Sequence, residues 1–401
     1  MDEVNDVVRQ ADSLINSTDE LFSLSANENK MSLSAQKYLA SSFSNRYYFE
    51  SNETVYSDFP EFIAIGSPSF DGLLRDAKQA MKDMFNAEYV NLYPLSGIHA
   101  MLMVMLTLTE AGDSIASLSP QAHGHFATGN VIRRIGRKHF DLPYDSQGLK
   151  LSYLKEFVAF KKIKLIYLDI MSCQNELDVS AIRRTVGDEL IVVYDASHTL
   201  GLIAGKALSN PLENGADIIC GNTHKTFPGP HRGLILTKTQ AIGDKITERG
   251  SNLYSTVQAN SLLALIVTIH EMKVYGVQYA TKVVENARIL QSALLNNGVT
   301  LRDIGFTDNH QVHIIKENRA KAKELLTSLK KQNITSHLCY TKSEGFFVRI
   351  GTQEITRRGM DHSEMHKIAS IIRKAEEGLD IKKDVYELNQ KFKRINYSFD
   401  N

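Results

Sequence analysis

The chain reads as an α/β protein, with a large domain on a mostly parallel sheet and a smaller α+β domain at its C-terminal end. Three observations carry this reading. Short apolar runs at 163–169, 190–195, 217–220 and 233–237 are separated by helical or turn material, the rhythm of a mostly parallel sheet. A helical pattern then runs from about Asn260 to Asn296. Beyond it, apolar runs Val312 to Ile315 and Phe346 to Ile350 and a helical stretch from Ser363 to Glu377 predict a separate α+β unit. The boundary is expected near residue 285, giving a large domain over 35–285 and a small one over 286–401. Residues 1–34 are polar and are read as an arm packing across the large domain or onto another subunit.

Composition narrows the function classes. The 46 basic and 46 acidic residues cancel and no polybasic block stands out, which argues against a nucleic-acid partner. With 401 residues and 43% hydrophobic content the chain has enough apolar material for two cores. Met1 to Asp19 has no apolar signal region, and the longest apolar run, Ala100 to Leu106, is too short to span a bilayer. The expected compartment is therefore cytoplasmic, with no membrane partner. Cys173, Cys220 and Cys339 are odd in number and widely spaced, which predicts buried thiols rather than a disulfide framework or a zinc site.

The most informative stretch is Val193-Tyr194-Asp195-Ala196-Ser197-His198, followed by Gly221-Asn222-Thr223-His224-Lys225-Thr226. Parallel strands collect functional side chains at their carboxyl ends. Asp195 and His198 leave one such end together, and Lys225 follows the next apolar run, so an aspartate and an amine can meet at one ligand. That pairing suits pyridoxal phosphate, which a lysine holds as a Schiff base while an acid keeps its pyridine nitrogen protonated. Tyr93-Pro94-Leu95-Ser96-Gly97-Ile98-His99-Ala100 runs straight into an apolar helix. Free amides, a hydroxyl and the helix dipole there make a phosphate site, although an ordinary capped helix start has the same appearance when taken alone.

Other residues keep two readings. His123 and His125 are either metal ligands or loop histidines, and no carboxylate or cysteine shares their spacing, so no metal is expected. His224 reads as a packing residue beside Lys225, with proton transfer as the alternative. Arg349 ends an apolar run and is either a substrate anchor or a structural ion-pair partner; Arg357 and Arg358 read as structural or solvated.

Taken together, the motifs resemble those of serine hydroxymethyltransferase and its fold-type I relatives. Asp195-Ala196-Ser197-His198-Thr199-Leu200-Gly201-Leu202 resembles the family's D-x-A-H-x-x-G-L, and Thr223-His224-Lys225-Thr226 with Gly229-Pro230 resembles T-H-K-T-x-x-G-P. Thr307-Asp308-Asn309-His310, Arg349-Ile350-Gly351-Thr352 and Ala26-Asn27-Glu28-Asn29 match further motifs in order, so the resemblance covers nearly the whole chain. It implies that Lys225 carries pyridoxal 5'-phosphate, that Asp195 pairs with the pyridine nitrogen and that His198 and Ser172 lie beside the ring hydroxyl. It further implies that His123 stacks on the ring, that Ser96, Gly97 and Ile98 hold the phosphate with His224 nearby, and that Arg349 takes the amino-acid carboxylate on the side of Asn27. Tyr47 and Tyr48 match a tyrosine pair at the site's mouth, and a homodimer is implied.

The chain departs from the family on the folate side. The family's Y-x-E-G-Y-P-G-K-R-Y-Y glutamate has no clear counterpart in Phe43-Ser44-Asn45-Arg46-Tyr47-Tyr48, although Glu50 and Glu53 lie nearby. The loop that helps to bind the pterin is shortened to His337 to Gly345, and the P-G-G-Q-G-G turn reads Ser255-Thr256-Val257-Gln258-Ala259-Asn260. The expectation is aldol or retro-aldol chemistry on a β-hydroxy-α-amino acid or glycine, with an aldehyde as partner and tetrahydrofolate doubtful. The base for the β-hydroxyl is open among His123, Tyr48, Glu50 and water. The alternatives are authentic folate-dependent hydroxymethyl transfer, favoured by Thr307 to His310, and a catalytically silent binding subunit.

Overall fold

The computed structural model describes residues 2–46, 48, 68–145, 148–254, 257–302 and 305–400. A seven-stranded sheet runs, edge to edge, through Tyr89–Asn91, Gly233–Thr237, Ile218–Asn222, Ile191–Asp195, Ile163–Asp169, Ser114–Ser117 and Lys138–Asp141. All strands share one direction except Gly233–Thr237, which is antiparallel to both of its neighbours.

Both faces of this sheet are covered, which explains why its strands are apolar throughout instead of alternating. Leu165, Tyr167, Val193, Ile218, Cys220 and Ile235 pack with Ala100, Met101, Val104 and Met105 of helix Gly97–Leu108. The intervening residues Ile166, Leu168, Val192, Tyr194, Ile219 and Leu234 point the other way, toward helices Pro68–Phe85 and Ala259–Asn296. Each fully buried aliphatic side chain of this kind contributes about 1.5–3 kcal/mol of transfer free energy.

Two glycines let separate segments close around the strand ends. A Cβ at Gly201 would stand 2.1 Å from the carbonyl oxygen of Thr226, and one at Gly233 would stand 2.2 Å from that of Ser96. Helix Leu200–Ala204 therefore lies against the Lys225 loop, and the antiparallel strand returns the chain to the turn before helix Gly97–Leu108.

At the C-terminal end a three-stranded antiparallel sheet, ordered Gln311–Lys316, Gly345–Gly351, His337–Thr341, packs with helices Arg319–Lys331 and His362–Glu376. Asp361 and Glu364 form a reciprocal capping box at the start of the last of these. Helix Ala259–Asn296 is shared between the clusters, with Val284 in the first and Ala287 in the second. In the arm, Phe22–Ser23 pairs in parallel with Ile334–Thr335, and Phe22 and Leu24 are buried in the C-terminal cluster. Among the described residues, no helix is long and apolar enough to cross a membrane.

Candidate active site

A cleft opens at the carboxyl ends of the parallel strands. Its wall includes Gly97, Ile98, His125, Asp169, Asp195, Ser197, His198, Asn222 and Lys225. The sequence-predicted aspartate and lysine thus meet at one cavity. Asp195 accepts hydrogen bonds from the Tyr167 hydroxyl at 2.8 Å and from the Ser197 amide at 2.9 Å. Lys225 Nζ lies 3.1 Å from His198 Nε2. Burial lowers the Lys225 amine to about 8, with Arg349 acting in the same direction and Asp195 against it. Burial and the charges of Lys225 and Arg349 keep His198 well below the usual histidine range.

One side of the cavity is built by the start of helix Gly97–Leu108. Ser96 caps it, accepting from the His99 amide at 3.1 Å. The Gly97 amide donates to Asn222 Oδ1 at 2.8 Å, and Asn222 Nδ2 donates to Ser197 Oγ at 3.1 Å. Gly97, Ile98, Ser197 and Asn222 line the cavity, whereas Ser96 supports it as the cap. Asn222 was legible in the sequence only as a letter of the lysine motif, and Ser197 only as a letter of the aspartate motif.

Arg349 is 2% exposed, and its charge acts on His198 and Lys225. Its Nη1 donates to the Met171 carbonyl and its Nη2 to Asn27 Oδ1 at 2.7 Å, while its buried Nε has no partner among the described residues. That unpaired donor, with the unpaired His198 Nδ1, fits a site that takes an anionic, polar ligand. Asn29 Nδ2 donates to the Lys225 carbonyl at 2.6 Å and to the Tyr279 hydroxyl at 2.8 Å, tying the arm to the lysine.

Several expected residues lie elsewhere. His123 does not line the cavity: in a left-handed conformation with φ 69°, its ring bonds Ser172 O at 3.1 Å and Ser343 Oγ at 3.3 Å. His125, two residues on, is the histidine on the wall. Its amide donates to Asp169 Oδ2 at 3.1 Å, and its Nδ1 accepts from the Ala127 amide at 3.2 Å. Ser172 is buried under His123 and is not part of the wall. His224 turns into a neighbouring cavity and stacks on His231 at 3.6 Å. Tyr48 is packed on Phe70 at 4.0 Å, donates its hydroxyl to Asp71 and does not line this cavity within the one chain. Tyr47, Glu50 and Glu53 lie outside the described residues. Among the described residues, no group of three or more His, Cys, Asp and Glu is arranged to hold a metal ion.

The loop before Arg349 is a tight hairpin, with Thr341 paired to Gly345. It is clasped onto the turn that carries His123. The Lys342 amide donates to the Gln121 carbonyl at 3.0 Å, and the Glu344 carboxylate meets His313 Nδ1 at 2.6 Å, Arg302 Nη1 at 2.9 Å and His123 Nε2 at 3.7 Å. Burial pushes Glu344 up, but the His313 hydrogen bond and the neighbouring His313, His123 and Arg302 outweigh it and hold the carboxyl below its usual range. Thr307, Asn309 and His310 are buried beside this clasp. Asn309 Nδ2 donates to the Cys173 carbonyl at 2.8 Å, and His310 Nε2 lies 3.2 Å from the Ala26 carbonyl oxygen.

Comparison with known proteins assigns the family. The serine hydroxymethyltransferase profile matches residues 2–372. A fluorothreonine transaldolase from Streptantibioticus cattleyicolor is 30% identical over 391 residues; the alignment takes in 94% of this chain but spans only 61% of that protein's length. A serine hydroxymethyltransferase from Methanosphaera stadtmanae is 32% identical over 398 residues, covering 94% of this chain and 91% of the relative. The crystal structure of an L-threonine transaldolase from Pseudomonas fluorescens in its internal aldimine state superposes with a TM-score of 0.89 at 28% identity, covering 100% of this chain and 96% of that one. The chain belongs to the serine hydroxymethyltransferase family, with the fold-type I architecture, and is an enzyme whose cofactor is pyridoxal phosphate.

Proposed function

We propose that the chain breaks and forms the Cα–Cβ bond of a β-hydroxy-α-amino acid and passes the glycine unit to a second aldehyde rather than a one-carbon unit to folate. The observation that carries this reading is the Glu344 clasp. The hairpin that resembles the family's pterin loop is shut onto the 121–123 turn by a buried carboxylate, two imidazoles and Arg302. The transaldolase names of two of the compared proteins agree with it. The Thr307 to His310 segment, which favours the folate-dependent alternative by resemblance, is engaged in packing between the C-terminal unit and the 173–174 loop.

When bound, pyridoxal phosphate withdraws electrons from Cα of the amino acid. In this reading Lys225 supplies the amine that holds the cofactor, and its depressed basicity keeps a nucleophilic fraction at mildly alkaline pH. Asp195, held by Tyr167 and Ser197, would pair with the pyridine nitrogen, and Gly97, Ile98, Ser197 and Asn222 would hold the phosphate at the helix start. Arg349 takes the substrate carboxylate, with its free Nε and its Asn27-bonded Nη2 as donors. His125 faces the β-hydroxyl as a hydrogen-bond donor, because burial keeps its ring neutral and its Nδ1 accepts from the Ala127 amide, so the ring proton sits on Nε2 and water takes the hydroxyl proton. The reading includes a homodimer, supported by the family resemblance and by exposed Leu95 and Ile98 at the phosphate turn, and a cytoplasmic location. It keeps the domain boundary near residue 285, supported by the change of cluster between Val284 and Ala287.

The test supplies the loaded enzyme with L-threonine and an aromatic aldehyde, following acetaldehyde release and the new β-hydroxy amino acid by NMR. Product formation without tetrahydrofolate is expected. Transfer from serine to tetrahydrofolate that outruns aldehyde exchange would overturn the reading in favour of authentic hydroxymethyl transfer.

A further inference from the structure

Two carboxyl groups stand side by side at the sheet's carboxyl edge, because Asp169 and Asp195 are paired residues of adjacent parallel strands and both line the cavity. Their surroundings differ. Asp195 receives two hydrogen bonds, from a hydroxyl and an amide. Asp169 is 3% exposed; its Oδ2 takes the His125 amide at 3.1 Å, and its buried Oδ1 has no hydrogen-bond partner among the described residues. The groups facing it are Asp195 from the neighbouring strand, Tyr167 from its own strand, His125 and Thr128 from the turn above, and Lys225 on the same cavity wall.

Resting on the function proposed above, we propose that Asp169 is a neutral carboxylic acid that positions the His125–Thr128 turn, so that the His125 imidazole lines the cavity. Two neighbouring carboxyl groups in a buried site cannot both ionise without a large penalty, and Asp169 has one buried oxygen with no hydrogen-bond donor among the described residues. Burial and the nearby Asp195 push Asp169 well above the usual carboxylate range, against the pull of Thr128 and the His125 amide.

The experiment titrates the visible absorbance of the resting, cofactor-loaded enzyme against pH in wild type and Asp169→Asn. The amide keeps an oxygen for the His125 amide and replaces a neutral group by a neutral group. The expected midpoint is unchanged within a few tenths of a pH unit. If Asp169 is ionised, removing its negative charge near Lys225 lowers the midpoint by about one unit, equivalent to about 1.4 kcal/mol, and the proposal fails. Positioning is read from kcat. Asp169→Ala should lose about tenfold or more with little change in KM, and Asp169→Asn should recover most of it; an alanine variant as fast as wild type overturns the positioning role. Where the alanine variant does not fold, Thr128→Val replaces it, with a smaller kcat loss expected and none being the contrary result. A wild-type chain with no visible band refutes the cofactor reading instead. The charge of Asp169 is then read from the melting temperature of the unloaded protein, which Asp169→Asn leaves unchanged if the acid is neutral and raises if a buried charge has been removed.

Discussion

The floor and the rim of this cavity are assembled in different ways. On the floor, the aspartate and the lysine meet residues close in sequence, Tyr167 to Asp195 across 28 positions and His198 to Lys225 across 27, and only the helix start adds a longer contact, Gly97 to Asn222 across 125. On the rim they span the chain: Arg349 reaches Met171 across 178 positions and Asn27 across 322, and Asn29 reaches the Lys225 carbonyl across 196. The floor therefore belongs to a run of successive strand–helix units and is fixed once the sheet forms. The rim depends on how the arm and the C-terminal unit sit on that sheet. In the proposed function cofactor chemistry lies on the first and the choice of reaction partners on the second, so one can vary while the other is kept.

The most severe break of the floor is Lys225→Ala. It should abolish the visible cofactor band and turnover while the far-ultraviolet circular dichroism stays that of the wild type; retained turnover would sink the lysine assignment. On the rim, Glu344→Ala removes one partner of a buried charged cluster and should cost about 3–5 kcal/mol in urea unfolding. Because Glu344 is not on the floor, the band of the loaded variant should keep its position. Arg349→Ala should weaken amino-acid binding by about 2–5 kcal/mol, read as a raised KM with the cofactor still held. An unaltered KM would assign the carboxylate to another donor.

Smaller effects sharpen the contrast. Because burial lowers Lys225 to about 8, its neutral fraction grows as pH rises through that value, so the rate at which unloaded protein captures pyridoxal phosphate should climb through about pH 8 and then level. Asp195 raises the Lys225 pKa, so Asp195→Asn should move this midpoint to lower pH. Asp400 takes the Leu33 and Ser34 amides at 2.6 and 2.7 Å, at the start of the short helix that follows the arm. Asp400→Ala should therefore cost about 1 kcal/mol in stability, in the range of a lost helix cap, and leave the cofactor spectrum unaltered.

What was legible in the sequence follows the same division. Asp195, His198 and Lys225 could be read because each sits just beyond an apolar strand, and the strands are apolar on both faces because helices cover both. Spacing alone does not say which of two histidines two apart faces a cavity. The left-handed turn at His123 sends that ring to Glu344 and leaves the wall to His125. Asp169 reads as the last residue of a strand, and only its pairing with Asp195 makes it part of a site. Tyr48 carries the same letters as a mouth residue but meets Phe70 and Asp71, a contact that no local motif encodes. The shortened loop before Arg349 was visible as a departure from the family, while its closure by Arg302, His313 and His123 needed three separate segments to converge.

The central claim, cofactor chemistry on an intact floor with a rim closed to folate, is tested most directly by the visible spectrum of the purified, loaded protein with glycine, recorded with and without tetrahydrofolate. A long-wavelength band that forms with glycine and is indifferent to tetrahydrofolate is the predicted result. A band that grows sharply only when tetrahydrofolate is added would contradict it and return the chain to folate-dependent hydroxymethyl transfer.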